Sequence, residues 1–434
     1  MLTETLARRW RGTELGLLLF PTALLVVGLA LLTLANRQEL VWRSFTAGFA
    51  FAAFLLATHA WLTHRYPYGD ELLLPIAASL CALGQLMVTR LEPDLAIRQS
   101  LWVGLGFLAM GATLVLLPSI AWLRRYRYIW AALGLLLVMS TLVFGVDPNG
   151  SGARLWLGFG PVLFQPSEIL KVLLVVFFAS YLDEHRELLA YGGPRLGPIR
   201  LPPLPYLAPL LLMLLLSLLL LLWQRDLGAA LLFYGIFLAM LYVASGRGLY
   251  VLVGILLFAA GATLMYQLFA HVRVRVDTWL DPWATATTTG FQLVQALTAL
   301  AAGGLFGAGL TFGYPDMVPA IHTDFIIAAI GEELGLAGSL GVVALYMLLV
   351  YRGFKIAVDC RDAFAGFLAA GLTSVVGIQS LVILGGTLKL MPLTGVTLPL
   401  LSYGGSSILA NFIILGLLLA ISAEARRPRY AVHD

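Results

Sequence analysis

Charge is what this chain has least of. Only 12% of its 434 residues are Asp, Glu, Lys or Arg, and 60% are hydrophobic, whereas a soluble domain carries roughly 25% charged residues. That balance excludes an ordinary water-soluble enzyme and a disordered chain. Cysteine is nearly absent: Cys81 lies in an apolar run and Cys360 in a short polar connection. Such a pair gives neither a disulfide framework nor a thiolate metal site. No internal repeat is good enough to argue for an inverted-repeat transporter. The basic residues are spread in small groups beside apolar runs, so they report membrane topology and not a nucleic-acid partner.

What is present is a series of apolar runs of membrane length. Spans are expected at 16–35, 44–62, 72–89, 99–118, 128–145, 164–182, 206–223, 227–244, 249–269, 325–351, 363–384 and 400–422. The expected fold is therefore an all-α polytopic membrane protein of about twelve transmembrane helices. The first run follows Arg8, Arg9 and Arg11 and is longer than a signal-peptide apolar region of about 7 to 15 residues. When the loops are sorted into two alternating sets, one holds most of the 27 Lys and Arg, among them Arg124, Arg125, Arg127, Arg352, Lys355, Arg426 and Arg427. That set is expected in the cytoplasm together with both termini. The loops at 146–163, 271–324 and 385–399 then open on the outer face. A cytoplasmic connector with Pro194, Pro198, Pro202, Pro203 and Pro205 is expected to be extended.

Against this apolar background a few polar residues stand out. Glu168 and Lys171 are three positions apart at the start of a span, so they share a helix face. They form either an interfacial salt bridge or the charged floor of an outward cavity. In WQRDLGAAL, Asp226 is placed to cap the following helix or to face the outer side. The stretch from His271 to Gly335 gathers Asp277, Asp281, Asp316, His322, Asp324, Glu332 and Glu333. A loop of this length is functional or disordered, and its aromatic content argues for function. His322, Asp324 and Glu332 are types that ligate a divalent cation, but their spacing is no recognised metal motif, and capping of the next helix by Asp324 explains it equally well. Lys389 stands in an outer loop among glycines and prolines, and Ser402 and Ser406 lie in SYGGSS at the start of the last span. These serines suit an anion site at a helix N-terminus or close helix packing.

The runs GARLWLGFGPVLFQPSEILK, QRDLGAAL, WLDP, HTDFIIAAIGEELG and PLTGVTLPLLSYGGSS occur in the order found in the SEDS family, and the chain from 72 to 422 resembles that family. The resemblance implies a ten-helix core over residues 72–422 that includes the outer loop 271–324. Residues 1–71 then form an added amino-terminal tail with two extra helices, and 423–434 a cytoplasmic tail. It also implies a peptidoglycan glycosyltransferase polymerising lipid II into β-1,4 glycan on the outer face of the cytoplasmic membrane. Implied partners are a class B penicillin-binding protein and membrane lipids. Carried over by motif, Asp281 corresponds to the family's catalytic acidic residue. Arg154, Trp156, Glu168, Lys171, Asp226, His322, Asp324, Glu332, Lys389, Ser402 and Ser406 are candidate substrate-binding residues. A divalent cation, Mg or Mn, is left open. Where the family commonly has QPDLG, this chain has Arg225 for Pro, a change in local turn geometry. Two rival readings are a lipid II flippase using intramembrane Glu168, Lys171 and Glu332, and a non-catalytic scaffold for a partner synthase.

Overall fold

Apolar runs in a medium without water must satisfy their own backbone, and a helix does so within one segment. The computed structural model describes residues 11–37, 45–117, 119–147, 150, 152–160, 162–191, 195–196, 199–200 and 204–427. In chain order its helices are α1 (Gly12–Arg37), α2 (Thr46–Arg65), α3 (Leu73–Leu91), α4 (Pro93–Leu116), α5 (Ile120–Arg125), α6 (Arg127–Phe144), α7 (Ser167–Tyr191) and α8 (Leu204–Trp223). Then come α9 (Leu227–Ser245), α10 (Gly248–Leu268), α11 (Ala270–Leu280), α12 (Phe291–Ala302), α13 (Ile326–Asp359), α14 (Ala363–Thr387) and α15 (Gly405–Arg426). Among the described residues, 11 helices are long and apolar enough to cross a membrane. The twelfth expected span is α7, which carries Glu168 and Lys171 near one end and Asp183 and Glu184 near the other.

The chain divides into two compact units. The first holds Met1–Pro118, Gln295–Arg361 and Thr397–Asp434, and the second holds Ser119–Val294 and Asp362–Val396. In the first unit α1 packs on α3, α2 on α4, α15 on α4, and α13 on α3 and α15. The two amino-terminal helices are wired into this unit by charge. Arg11 is wholly buried and donates to the carbonyls of Tyr66 at 3.0 Å, Gly69 at 2.9 Å and Asp70 at 2.9 Å. It also pairs with Glu14, whose other oxygen meets His59 Nδ1 at 2.7 Å. Asp70 in turn pairs with Arg352 and, at 3.0 Å, with Arg426. Burial pushes its carboxyl up, but Arg352, the Leu72 amide and Arg426 outweigh that and hold it below the ordinary carboxylate range.

In the second unit α7 packs on α6, α9 and α14, while α9 packs on α8, α10 and α14. On the expected outer side β1 (Gly145–Val146), β2 (Trp156–Phe159) and β3 (Val162–Phe164) form an antiparallel sheet with Leu157 opposite both Gly145 and Phe164. The connector expected to be extended makes a short antiparallel pair, β4 (Arg195–Leu196) with β5 (Ile199–Arg200). Arg8, Arg9, Pro194, Pro198, Pro202, Pro203 and the last seven residues lie outside the described residues.

Two expectations are corrected. The segment 271–324 is not one long loop, since it contains α11 and α12. In α12 Leu293, Val294, Ala296 and Ala299 are buried, a spacing that matches a helical turn. The span expected at 325–351 runs on to Asp359 and is broken at Gly335, whose φ of 71° and ψ of −168° form a backbone state essentially open only to glycine. The break frees backbone groups that segment 303–309 takes up. Ala308 and Gly309 donate to the carbonyls of Glu332 and Glu333 at 2.9 and 3.0 Å, while Leu336 and Ala337 donate to those of Gly304 and Leu305 at 2.9 and 3.1 Å.

A Cβ at Gly335 would lie 2.3 Å from the Gly307 amide nitrogen. Gly335→Ala is therefore expected to cost about 1–3 kcal/mol in backbone strain alone, with the clash adding to it, read as a lower thermal midpoint of the purified protein in detergent. Gly341→Ala on the same helix, where a Cβ meets nothing within 4 Å, is expected to leave the midpoint unlowered or to raise it slightly, since Ala favours the helix.

Candidate active site

In the second unit the first turn of α7 places Glu168 and Lys171 on one face. Both are buried, Lys171 to 1% exposure. Their charged ends are in direct contact, and Lys171 Nζ also donates to Gln379 Oε1 on α14 at 2.9 Å. The pair is thus closed on the protein side by a group 208 residues away.

Asp226 caps α9: Oδ1 accepts from the Ala229 amide at 2.9 Å, and Oδ2 accepts from Gln165 Nε2 at 3.3 Å. Burial pushes its carboxyl above the usual range, against the Ala229 bond, with the nearby Glu168 charge adding to the rise and Arg275 opposing it. The turn before it carries Arg225 at φ 63°. A proline, fixed near −65°, has no access to that conformation, so this turn differs in backbone from a QPDLG turn.

The short helix α11 is held on two sides. On one, Asp277 Oδ1 accepts from Tyr266 Oη at 2.9 Å. On the other, Arg275 donates to the Thr394 carbonyl at 3.2 Å and Trp279 Nε1 to the Lys389 carbonyl at 3.0 Å. Lys389 itself has φ 59°, which turns this carbonyl-bearing stretch sharply. Asp281 stands at the C-terminal end of α11, exposed, with its amide bonded to the Asp277 carbonyl. Its Oδ1 accepts from the Ala284 amide at 3.2 Å. Asp281 makes no ion pair among the described residues. Arg154 is exposed beside the three-stranded sheet and Trp156 is half-buried within it. His271 is held below the ordinary imidazole range by burial and by the charges of Arg225 and Arg275, so cations gather on this side of the unit.

In the first unit the expected residues make contacts within the fold. Glu332 Oε1 accepts from the Tyr314 amide at 2.7 Å. Glu333 pairs with Arg90 at 3.1 Å, and Arg90 also approaches Asp316 at 3.7 Å. Ser402 Oγ donates to the Thr323 carbonyl and accepts from the Leu398 amide at 3.1 Å, while the Tyr403 amide donates to the His322 carbonyl at 2.9 Å. The expected anion site at the start of α15 is therefore a clasp between two chain segments: Ser402 is engaged, and Ser406 is buried. His322 Nδ1 lies 3.7 Å from Glu92, and burial holds its imidazole below the ordinary range against that charge. Asp324 is not the cap of α13, whose N-cap is Phe325 without a side-chain bond. Among the described residues no three His, Cys, Asp or Glu side chains converge to hold a metal ion, so His322, Asp324 and Glu332 do not form the ligand set left open above.

Sequence reading does not single out Gln379, Tyr266 and Arg90 as site residues. Their only signal was a polar side chain in or next to an apolar run, which does not identify a partner.

A profile of the cell cycle protein family that takes in FtsW, RodA and SpoVE matches residues 72–427. The peptidoglycan glycosyltransferase RodA of Mycobacterium tuberculosis is 41% identical over 430 residues, covering 96% of this chain and 92% of the relative. That of Mycobacterium leprae is 39% identical over 428 residues, covering 96% and 91%. A share of 96% reaches into the amino-terminal helices that the family profile leaves out. A probable peptidoglycan glycosyltransferase FtsW of Geobacter sulfurreducens is 33% identical over 373 residues, covering 82% of this chain and 96% of the relative. Among solved structures, a chain from a peptidoglycan synthase complex that coordinates polymerization and crosslinking superposes with a TM-score of 0.68 at 31% identity, covering 83% of this chain and 99% of that one. The rod shape determining protein RodA of Thermus thermophilus superposes at 0.60 and 29%, covering 83% and 98%.

The contact between Lys171 and Glu168 predicts a coupled pair. Lys171→Ala leaves a buried carboxylate without its cation, a loss of about 3–5 kcal/mol for a buried pair. Adding Glu168→Gln removes the stranded charge and is expected to restore most of the thermal stability. Losses that simply add in the double variant would mean that the two side chains act independently.

Proposed function

Because this chain belongs to the FtsW, RodA and SpoVE family of cell cycle proteins, we propose that it is an inverting peptidoglycan glycosyltransferase. In this reading it polymerises lipid II into β-1,4 glycan strands on the outer face of the cytoplasmic membrane, with both termini in the cytoplasm and a class B penicillin-binding protein as partner. The observation that carries the mechanism is the state of the acidic groups around α11. Glu168 is paired with Lys171, Asp226 caps α9, and Asp277 holds Tyr266. Asp281 is exposed, makes no ion pair among the described residues and is held at the end of a helix anchored on two sides.

Lipid II carries its sugar on a diphosphate through an α linkage, and the product is β-linked, so one displacement with inversion suffices. The acceptor hydroxyl oxygen forms a bond to the anomeric carbon as the bond from that carbon to the diphosphate oxygen breaks. The hydroxyl proton passes to Asp281, and the electron pair leaves with the diphosphate. Positive charge toward the leaving group comes from Arg154 and Lys389, whose side chains form no ion pair among the described residues. Arg275 and Lys171 are already engaged by protein groups and support the site in place. No step is assigned to a divalent cation. The sealed pair Glu168–Lys171 also favours a polymerase over a flippase, which would need these charges open to a polar passage.

Asp281→Asn keeps the size of the side chain and removes its basicity. Polymerisation of purified lipid II, with and without the class B partner, is expected to fall about 100-fold to 10,000-fold, the usual worth of a general base, with membrane insertion and partner binding unchanged. Asp277→Asn still offers an oxygen to Tyr266 and is expected to retain most activity. Unaltered polymerisation by the Asp281→Asn protein would instead support a scaffold role.

A further inference from the structure

The broken helix α13 sets a depth for the segment paired with it. The helix covers 34 residues across its break at Gly335, more than the roughly 20 that cross a hydrocarbon core of about 30 Å. One of its ends carries Arg352, Lys355 and Asp359, preceded by exposed Tyr351, the type of aromatic residue found at the membrane interface. Counting about 20 residues back from Arg352 puts the opposite edge of the hydrocarbon at residues 332–335. This is the level at which segment 303–309 is bonded to α13 through Glu332, Glu333, Leu336 and Ala337.

Irregular backbone inside the hydrocarbon needs partners for its polar groups; at this edge four backbone groups of segment 303–309 find theirs on α13, which places the tip at the boundary with the headgroups and not deep in the bilayer. The segment reads GGLFGAG and contains no polar side chain. Leu305 is 65% and Phe306 83% exposed, on the same helix-and-loop element as exposed Leu336 and Leu340 of α13. A protein-binding patch would be expected to carry a rim of hydrogen-bonding side chains, which this segment lacks.

We propose that residues 303–309 form a re-entrant tip whose Leu305 and Phe306 insert among the lipid acyl chains of the leaflet on that side, the outer leaflet in the orientation proposed above. The tip fastens the segment between α12 and α13 to the membrane surface, and its insertion does not depend on the role given to Asp281. Burying two large apolar side chains contributes to that fastening, while the glycines let the loop backbone lie against α13: a Cβ on Gly307 would come within 2.2 Å of the Glu333 carbonyl oxygen.

The test uses the full chain with Cys360→Ser, which leaves the buried Cys81 as its only native thiol, reconstituted in lipid nanodiscs, with a nitroxide attached at Phe306→Cys. Leu340→Cys and Val358→Cys on α13, both exposed, serve as hydrocarbon and aqueous references. Collision with oxygen is expected to exceed collision with a water-soluble nickel chelate several-fold at 306, as at 340, with the reverse at 358. An accessibility at 306 like that at 358 overturns the proposal. So does protection from both reagents, which would mean that protein covers the tip. If Phe306→Cys fails to fold, the same comparison at Leu305→Cys decides.

Discussion

A charge inside a bilayer must find its partner within the protein, at a cost of roughly 2.5–3.5 kcal/mol on insertion scales when it does not. That constraint governs most of the ionisable groups buried here. Arg11 is matched with Glu14 and three carbonyls, Asp70 with Arg352 and Arg426, Arg90 with Glu333, and Lys171 with Glu168 and Gln379. The same accounting marks out chemistry by contrast. An exposed carboxylate such as that of Asp281, whose Oδ1 accepts from the Ala284 amide, needs no cation to be stable, which suits the general-base role proposed for it.

The backbone obeys a parallel rule. Breaking α13 at Gly335 would strand amides and carbonyls at membrane depth, and the glycine-rich stretch after α12 supplies their complements. Glycine is required on both sides of this contact for different reasons: at 335 for its φ and ψ, and at 303, where a Cβ would sit 1.8 Å from the Gly331 carbonyl oxygen, for the closeness of the two strands of chain.

How much of this was legible in the sequence follows the range of the interaction. Apolar runs announced nearly every span, because hydropathy is a local quantity, and the contact of Glu168 with Lys171 followed from spacing of three on a helix. Asp226 as a cap was also local. What escaped was long-range: Gln379 completing the Lys171 pair, Arg90 meeting Glu333 across 243 residues, and the buttoning of Ser402 onto Thr323. The serine-rich stretch before α15 offered the right atoms for an anion, but those atoms were already committed to another segment. The stretch 271–324 reads as a loop because its charges and glycines mask the helical spacing of α12.

In the first unit Arg11 bonds to the Asp70 carbonyl while the Asp70 carboxylate pairs with Arg352 and Arg426, and this has a bearing on biogenesis. Arg11 is completed only when residues 55 to 59 positions later have emerged, whereas Asp70 waits for cations 282 and 356 positions further on. During synthesis the amino-terminal hairpin can therefore settle early, while Asp70 remains without its cations until α13 and finally α15 have entered the membrane. Loop closure over such separations makes assembly slow. A ribosome stalled before α15 would leave a chain with nearly all its spans inserted and one of its buried acids still without a full set of partners, a form that quality-control proteases could distinguish from the finished protein.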